Sequence, residues 1–290
     1  MKRIILSFVF LVLSFNSYAV TLDGLDEKSI FRGMYPKLFN PLLEDGNYTG
    51  KELKNVGVKM NDKEYLALYH PPEQYKNKDG EIRYLVYVER RDIQLKNIKI
   101  INGKFVKIPN VIVYGFSETC HICLSNEDLF IFKKNKDEKY ELVSKNNKNL
   151  GLSSFGISTL NTANLQSNII NIKQDAVGFF FIIGSGNAGF WEGHRGAVIL
   201  NEKTPITTVA VDIAEENSEG AYGDSVLSTA YDSTAKILEN EPPSFGFYPI
   251  EVKFKGDYEE DDKFIKYNKI KKYEMQKDRK EYKEVSSRDY

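Results

Sequence analysis

DLFIFKKNKDEKYELVSKN, residues 128–146, reads as a β-hairpin. Leu129 to Lys133 and Tyr140 to Ser144 are rich in aromatic and branched residues, and the polar run KNKDE between them is turn-like. The same texture extends in both directions. IRYLVYVERRDI (82–93) and VIVYGF (111–116) precede the hairpin, and NIINIK, AVGFFFIIG, RGAVILNE, ITTVAVDIA and FYPIEVKFKG follow it. Each has strand length and is bounded by polar or glycine-bearing turns. KIKKYEMQKDRKEYKEV (269–285) predicts a last hairpin turning at KDRK, with a charged helix as the rival reading. Only LDEKSIFRGMYPKLFNPLLED (25–45) carries helical spacing, broken near Pro36 or Pro41.

The expected fold is therefore α+β and β-rich: mostly antiparallel sheet with a small helical N-terminal part. Residues 20–290 are read as a single domain, with a partly helical segment at 20–80 and an antiparallel β body at 81–290. Candidate loops lie at 70–81, 144–154 and 214–225, none long enough to separate domains.

MKRIILSFVFLVLSFNSYA (1–19) has a basic start at Lys2 and Arg3, an apolar run from Ile4 to Phe15, and small residues at Ser17 and Ala19. That is the pattern of a secretory signal peptide cleaved after Ala19. No cysteine follows the run, which excludes a bacterial lipid anchor on cysteine. The expected compartment is the periplasm or the exterior, with no membrane insertion after cleavage. A net charge of −1 lacks the basic footprint of nucleic-acid binding.

The only two cysteines stand in SETCHICLSN (117–126). Cys120 and Cys123 are read as a disulfide bracing a tight turn, which an oxidising compartment permits. The alternative is a thiol-active site with Cys120 as nucleophile, which needs a helix after the pair to lower the thiol pKa; the hairpin pattern occupies that place. Leu124 stands where haem attachment needs histidine, and His70 and His194 show no paired spacing for zinc.

Gly184, Gly186 and Gly189 in GSGNAGFWEGHRG match the letters of a dinucleotide fingerprint, with Asp212 near the expected downstream distance. The strand-like AVIL that follows leaves no helix to receive a pyrophosphate, so the stretch is read as a glycine-rich connection between strands. Phe190, Trp191, Glu192, His194 and Arg195 crowd this stretch with the composition of a binding hot spot; aromatic residues capping the core are the competing reading. In DIAEENSEGAYGD, Asp212, Glu215, Glu216 and Asp224 are calcium candidates by oxygen density, without EF-hand spacing. There is no G-x-S-x-G elbow, and the three histidines form no triad context. No catalytic residue and no cofactor is expected.

The C-H-I-C turn followed by LFIFKKN, YELVSKN and LGLSSFG resembles a loose set of secreted proteobacterial proteins of unassigned function, over roughly residues 110–283. They share a signal peptide, a C-H-x-C turn, a glycine–phenylalanine pair (here Phe155–Gly156) and a tyrosine-rich C-terminal hairpin. This chain departs from them at GFSET, where they have a glycine-rich opening. Some proteins of this type look like immunity proteins, which neutralise toxins injected by rival cells. The resemblance implies a periplasmic binding module with a toxin or effector protein as partner, and names no catalytic residue. A thiol-active envelope protein and a calcium- or glycan-binding envelope domain are the alternatives.

Overall fold

The computed structural model describes residues 20–39, 56–60, 62–96, 98–101, 104–107, 113–116, 125–154, 157–158, 160–222, 228–260, 263–278 and 280–290. The signal-peptide reading of 1–19, the Cys120–Cys123 bridge and Asp224 lie outside the described residues.

The elements in chain order are β1 (Thr21–Leu22), α1 (Glu27–Met34), β2 (Leu38–Phe39), β3 (Val56–Met60), β4 (Lys63–Lys76), β5 (Ile82–Lys96), β6 (Ile98–Ile101), β7 (Lys104–Lys107) and β8 (Val113–Phe116). Then come β9 (Asn126–Lys134), β10 (Tyr140–Lys145), β11 (Ser153–Ser154), β12 (Ile157–Ser158), α2 (Leu165–Asn168), β13 (Val177–Asn187), β14 (Phe190–Leu200) and β15 (Thr207–Asn217). The chain closes with α3 (Glu219–Tyr222), β16 (Ala230–Ile237), β17 (Ile250–Glu260), β18 (Lys263–Lys266), β19 (Lys269–Met275) and β20 (Tyr282–Asp289). Two eight-stranded sheets result. One runs β1-β10-β9-β5-β4-β3-β2 with β8 on β5, and the other runs β13-β14-β15-β16-β17-β19-β20 with β18 on β17. The strand pairings are antiparallel, as the hairpin-rich sequence predicts. No helix among the described residues is long and apolar enough to cross a membrane.

The first sheet is buried on both faces at its centre, which explains why YLVYV (84–88) and LFIF (129–132) are continuous apolar runs and not alternating ones. Leu85, Tyr87, Leu129 and Ile131 face the second sheet and pack with Val177, Phe179, Val198 and Leu200. Their neighbours Val86, Val88, Phe130 and Phe132 face the other way, onto Ile30 and Phe31 of α1. Each such side chain contributes about 1.5–3 kcal/mol by leaving water. Helix α1 starts where Asp26 accepts the backbone N–H of Ser29 at 3.1 Å, and ends just ahead of Pro36.

β4 is a departure from the sequence reading. The stretch HPPEQYKNKDGE looks like a loop, yet the strand continues through Pro71 and Pro72 to Lys76, and the turn is confined to residues 77–80. The β4–β5 register shifts between His70 and Glu73, so a bulge absorbs the two prolines, which have no N–H to give. NIINIK, expected as a strand, makes only isolated bridges, from Ile170 to Gly178 and from Lys173 to Phe247, while Ile172 plugs the core.

The second sheet curls. Ala210 of β15 donates its N–H to Lys280 O at 3.2 Å, bringing the C-terminal hairpin back against β15. The enclosed core contains Val209, Val211, Tyr231, Val252, Phe254, Tyr273, Met275 and Tyr282.

On its helix face the first sheet is tied to α1 by one buried polar group. Arg90 donates to both oxygens of Asp128, at 2.6 and 2.9 Å, and Tyr35 Oη donates to Asp128 Oδ2 at 2.6 Å. Burial and then the neighbouring Asp128 charge push the Tyr35 phenol well above its usual range. Asp128→Ala leaves a buried, unpaired guanidinium, and denaturant unfolding should show a loss of about 3–5 kcal/mol. A loss below about 1 kcal/mol would show that the tie is not structural.

Candidate functional site

The glycine-rich stretch is strand almost throughout. β13 and β14 pair without interruption from Val177–Leu200 to Asn187–Phe190, and only Ala188 and Gly189 turn, with φ of 51° and 86°. Two consecutive positive φ values match the twist of a tight two-residue hairpin. No helix follows, which removes the dinucleotide reading.

The glycines serve the tryptophan. Trp191 lies opposite Gly186, and a methyl on Gly184 would fall 1.7 Å from its Cζ2. The indole thus rests on bare backbone, and its Nε1–H donates to Glu215 Oε1 at 2.9 Å. Gly193 makes room for that carboxylate: a methyl there would meet Glu215 Cγ at 2.6 Å. At the turn, a methyl on Gly189 would strike Gly220 C and Ala221 N at 2.2 Å, so the hairpin tip touches α3 backbone to backbone. Phe190 then meets Tyr222 edge-on, 5.7 Å between ring centres at 90°.

Three large rings remain in water at this end: Phe190 at 49 % exposure, Trp191 at 39 % and Tyr222 at 42 %. Beside them runs an open groove of about 580 Å³, walled by Phe190, Trp191 and Tyr258 and by the carboxylates of Glu192, Glu216 and Glu259. Glu192 sits 2.5 Å from the exposed His194 imidazole. Among the described residues, no ion pair neutralises Glu216 or Glu259. Burial, and then the nearby Glu192 charge, hold the Glu216 carboxyl above its usual range despite its bond with Tyr231. The surface is aromatic and acidic, suited to an ammonium or guanidinium group.

The five expected binding residues separate. Phe190, Trp191 and Glu192 line the groove, and His194 lies beside it. Arg195 does not belong. It shares a strand face with Ala197 and Ile199, and its buried guanidinium donates to Ser233 O at 2.7 Å and Ser233 Oγ at 3.0 Å. Burial draws its pKa below the usual range, as fits a side chain that braces β14 against β16. The calcium candidates also disperse. Asp212 accepts from Tyr273 Oη and stands 3.7 Å from Lys271 Nζ, Glu215 holds Trp191, and Glu216 faces the groove. No three His, Cys, Asp or Glu side chains among the described residues converge as a metal site.

Tyr222, Tyr258 and Glu259 were not singled out by the sequence, because folding brings them to Trp191 from separate elements. No family model matches the chain, and no curated protein or solved structure matches it either.

Gly184→Ala should lift the indole from its platform. Trp191 is the only tryptophan, so its fluorescence reports this directly. The emission maximum should move to longer wavelength, with an overpacking cost of about 1–3 kcal/mol in unfolding. Unchanged emission would show that the ring does not rest there.

Proposed function

We propose that the chain is an exported binding module of the immunity type, which engages a toxin or effector protein through the Trp191 end and blocks it. The observation that carries this reading is the set of exposed rings gathered around the β13–β14 hairpin tip, beside carboxylates of which Glu216 and Glu259 have no ion-pair partner among the described residues. Large aromatic residues on a fixed backbone lose little conformational freedom on binding and dominate interface energetics. The carboxylates of Glu192, Glu216 and Glu259 give the surface its preference for a lysine- or arginine-bearing segment.

The signal-peptide pattern of 1–19 supports a periplasmic setting for this activity. In this reading residues 20–290 act as one domain, with the helix-bearing N-terminal part as its flank and the Cys120–Cys123 pair as a brace.

The test is co-purification of the tagged chain with the toxin encoded beside it, followed by titration of the purified pair. Trp191→Ala and Phe190→Ala should each weaken binding by about 30-fold or more, the effect of removing a hot-spot residue. Glu216→Lys should do the same and make the residual binding less salt-sensitive. Capture of the partner at undiminished affinity by all three variants would overturn the assignment of this surface. Failure to find any partner, with deletion leaving cells equally resistant to kin, would overturn the function.

A further inference from the structure

Away from the hairpin tip, the face of the first sheet that looks into the inter-sheet core ends in ionisable side chains. The β5–β9 register sets Glu89 directly opposite Glu127. Strand alternation continues the Leu85–Tyr87 and Ile131–Leu129 rows, so both carboxyls enter the interior, at 3 % and 0 % exposure.

Their surroundings differ in kind. Glu89 accepts from Arg91 Nε at 2.8 Å, Arg91 Nη2 at 3.2 Å and the Ser158 N–H at 2.9 Å, and its Oε2 lies 3.9 Å from His70 Nε2. Glu127 accepts from Ser125 Oγ at 2.8 Å and, at a long 3.5 Å, from the Leu152 N–H. No cation touches Glu127 among the described residues. Among the described residues, the charged and titratable groups around the pair are Tyr87 and Arg91 from β5 and His70 from β4. The 146–153 segment hydrogen-bonds here through neutral groups, Asn146, Asn149 and Ser153, while its Lys148 is exposed. Tyr87 is 1 % exposed, its ring stacks on His70 with centres 4.3 Å apart, and among the described residues neither its hydroxyl nor His70 Nε2 has a hydrogen-bond partner.

Like charges directly across an antiparallel pair repel, and in a buried site water does not screen them. We propose that Glu89 and Glu127 form a proton-binding site, in which Glu89 carries the negative charge and Glu127 is the member that takes up the proton. The asymmetry of partners decides which residue holds it. Burial opposes the charge on Glu89, but the contacts with His70, Arg91 and Ser158 outweigh it and leave its pKa low. At Glu127 burial dominates, the Glu89 charge adds to it, and the pKa rises.

The site has a mechanical neighbour. Ser125 donates its hydroxyl to Glu127, donates its N–H to Ser153 Oγ at 2.8 Å and accepts from Asn149 Nδ2 at 3.0 Å. Losing the Glu127 proton puts a second charge beside Glu89 in the same buried space.

The sign follows from linkage. A carboxyl whose folded pKa is raised costs stability as pH climbs from its unfolded pKa to its folded one, and the loss then levels off. Glu127→Gln, a neutral copy of the protonated form, should match the wild type near pH 4. It should melt progressively higher than wild type as pH rises, with a gap of about 2–4 °C at neutral pH. Carboxyl-carbon NMR of the wild type, which needs no variant to fold, should show one glutamate titrating above the ordinary range. That resonance should be missing in Glu127→Gln and should move to lower pH in Glu89→Gln. A melting gap between Glu127→Gln and wild type that is constant across pH, or a Glu127 carboxyl titrating in the ordinary range, would overturn the proposal.

Discussion

The register of β5 against β9 is the constraint on which most of the molecule depends. It aligns Val88 with Asp128 and Glu89 with Glu127, and because side chains alternate, the first alignment serves one face and the second the other. On the helix side Asp128 collects Arg90 and Tyr35; on the inter-sheet side the two glutamates meet. A slip of one residue would turn the Glu89 carboxyl toward α1, away from Arg91 and Ser158, and take the Arg90 guanidinium away from Asp128. The apolar runs YLVYV and LFIF are hydrophobic on both faces and do not by themselves forbid that slip. The charged residues just beyond them do.

That division explains what the sequence discloses and what it withholds. Strand identity is legible wherever composition is dense: the 128–146 hairpin, the strand from Ile82 and the C-terminal hairpin can be read from aromatic and branched residues alone. β4 is hidden because Pro71 and Pro72 look like a loop, and only a bulge makes them compatible with a ladder. The candidate site was half legible. Phe190 and Trp191 stand out as neighbours in sequence, but sidedness within β14 decides that Arg195 belongs to the core. Proximity in sequence likewise suggested that Asp212, Glu215 and Glu216 act together, whereas bulges between Gly193 and His194 and between Arg195 and Gly196 interrupt the alternation and send them to separate partners. The Glu89–Glu127 pair was invisible, since no periodicity within one strand announces what the next strand places opposite it.

The Trp191 end shows how glycine is used here. Gly184, Gly186 and Gly193 are not hinges, for they lie in continuous pairing. They subtract side-chain volume so that an indole and the carboxylate that holds it fit against the backbone. The result is a large ring presented to solvent in a fixed orientation, a different use of glycine from the flexible phosphate-binding loop that the same letters suggest.

The inter-sheet core draws its members from both sheets: Leu85, Tyr87, Leu129 and Ile131 from one, Val177, Phe179, Val198 and Leu200 from the other. Neither half of the chain can dry that surface alone. A molecule built from two sheets should therefore lose its structure as one cooperative unit, and a chain only part-way through synthesis carries an apolar face with nothing yet to cover it. That places a premium on keeping the nascent chain from collapsing until both halves have emerged.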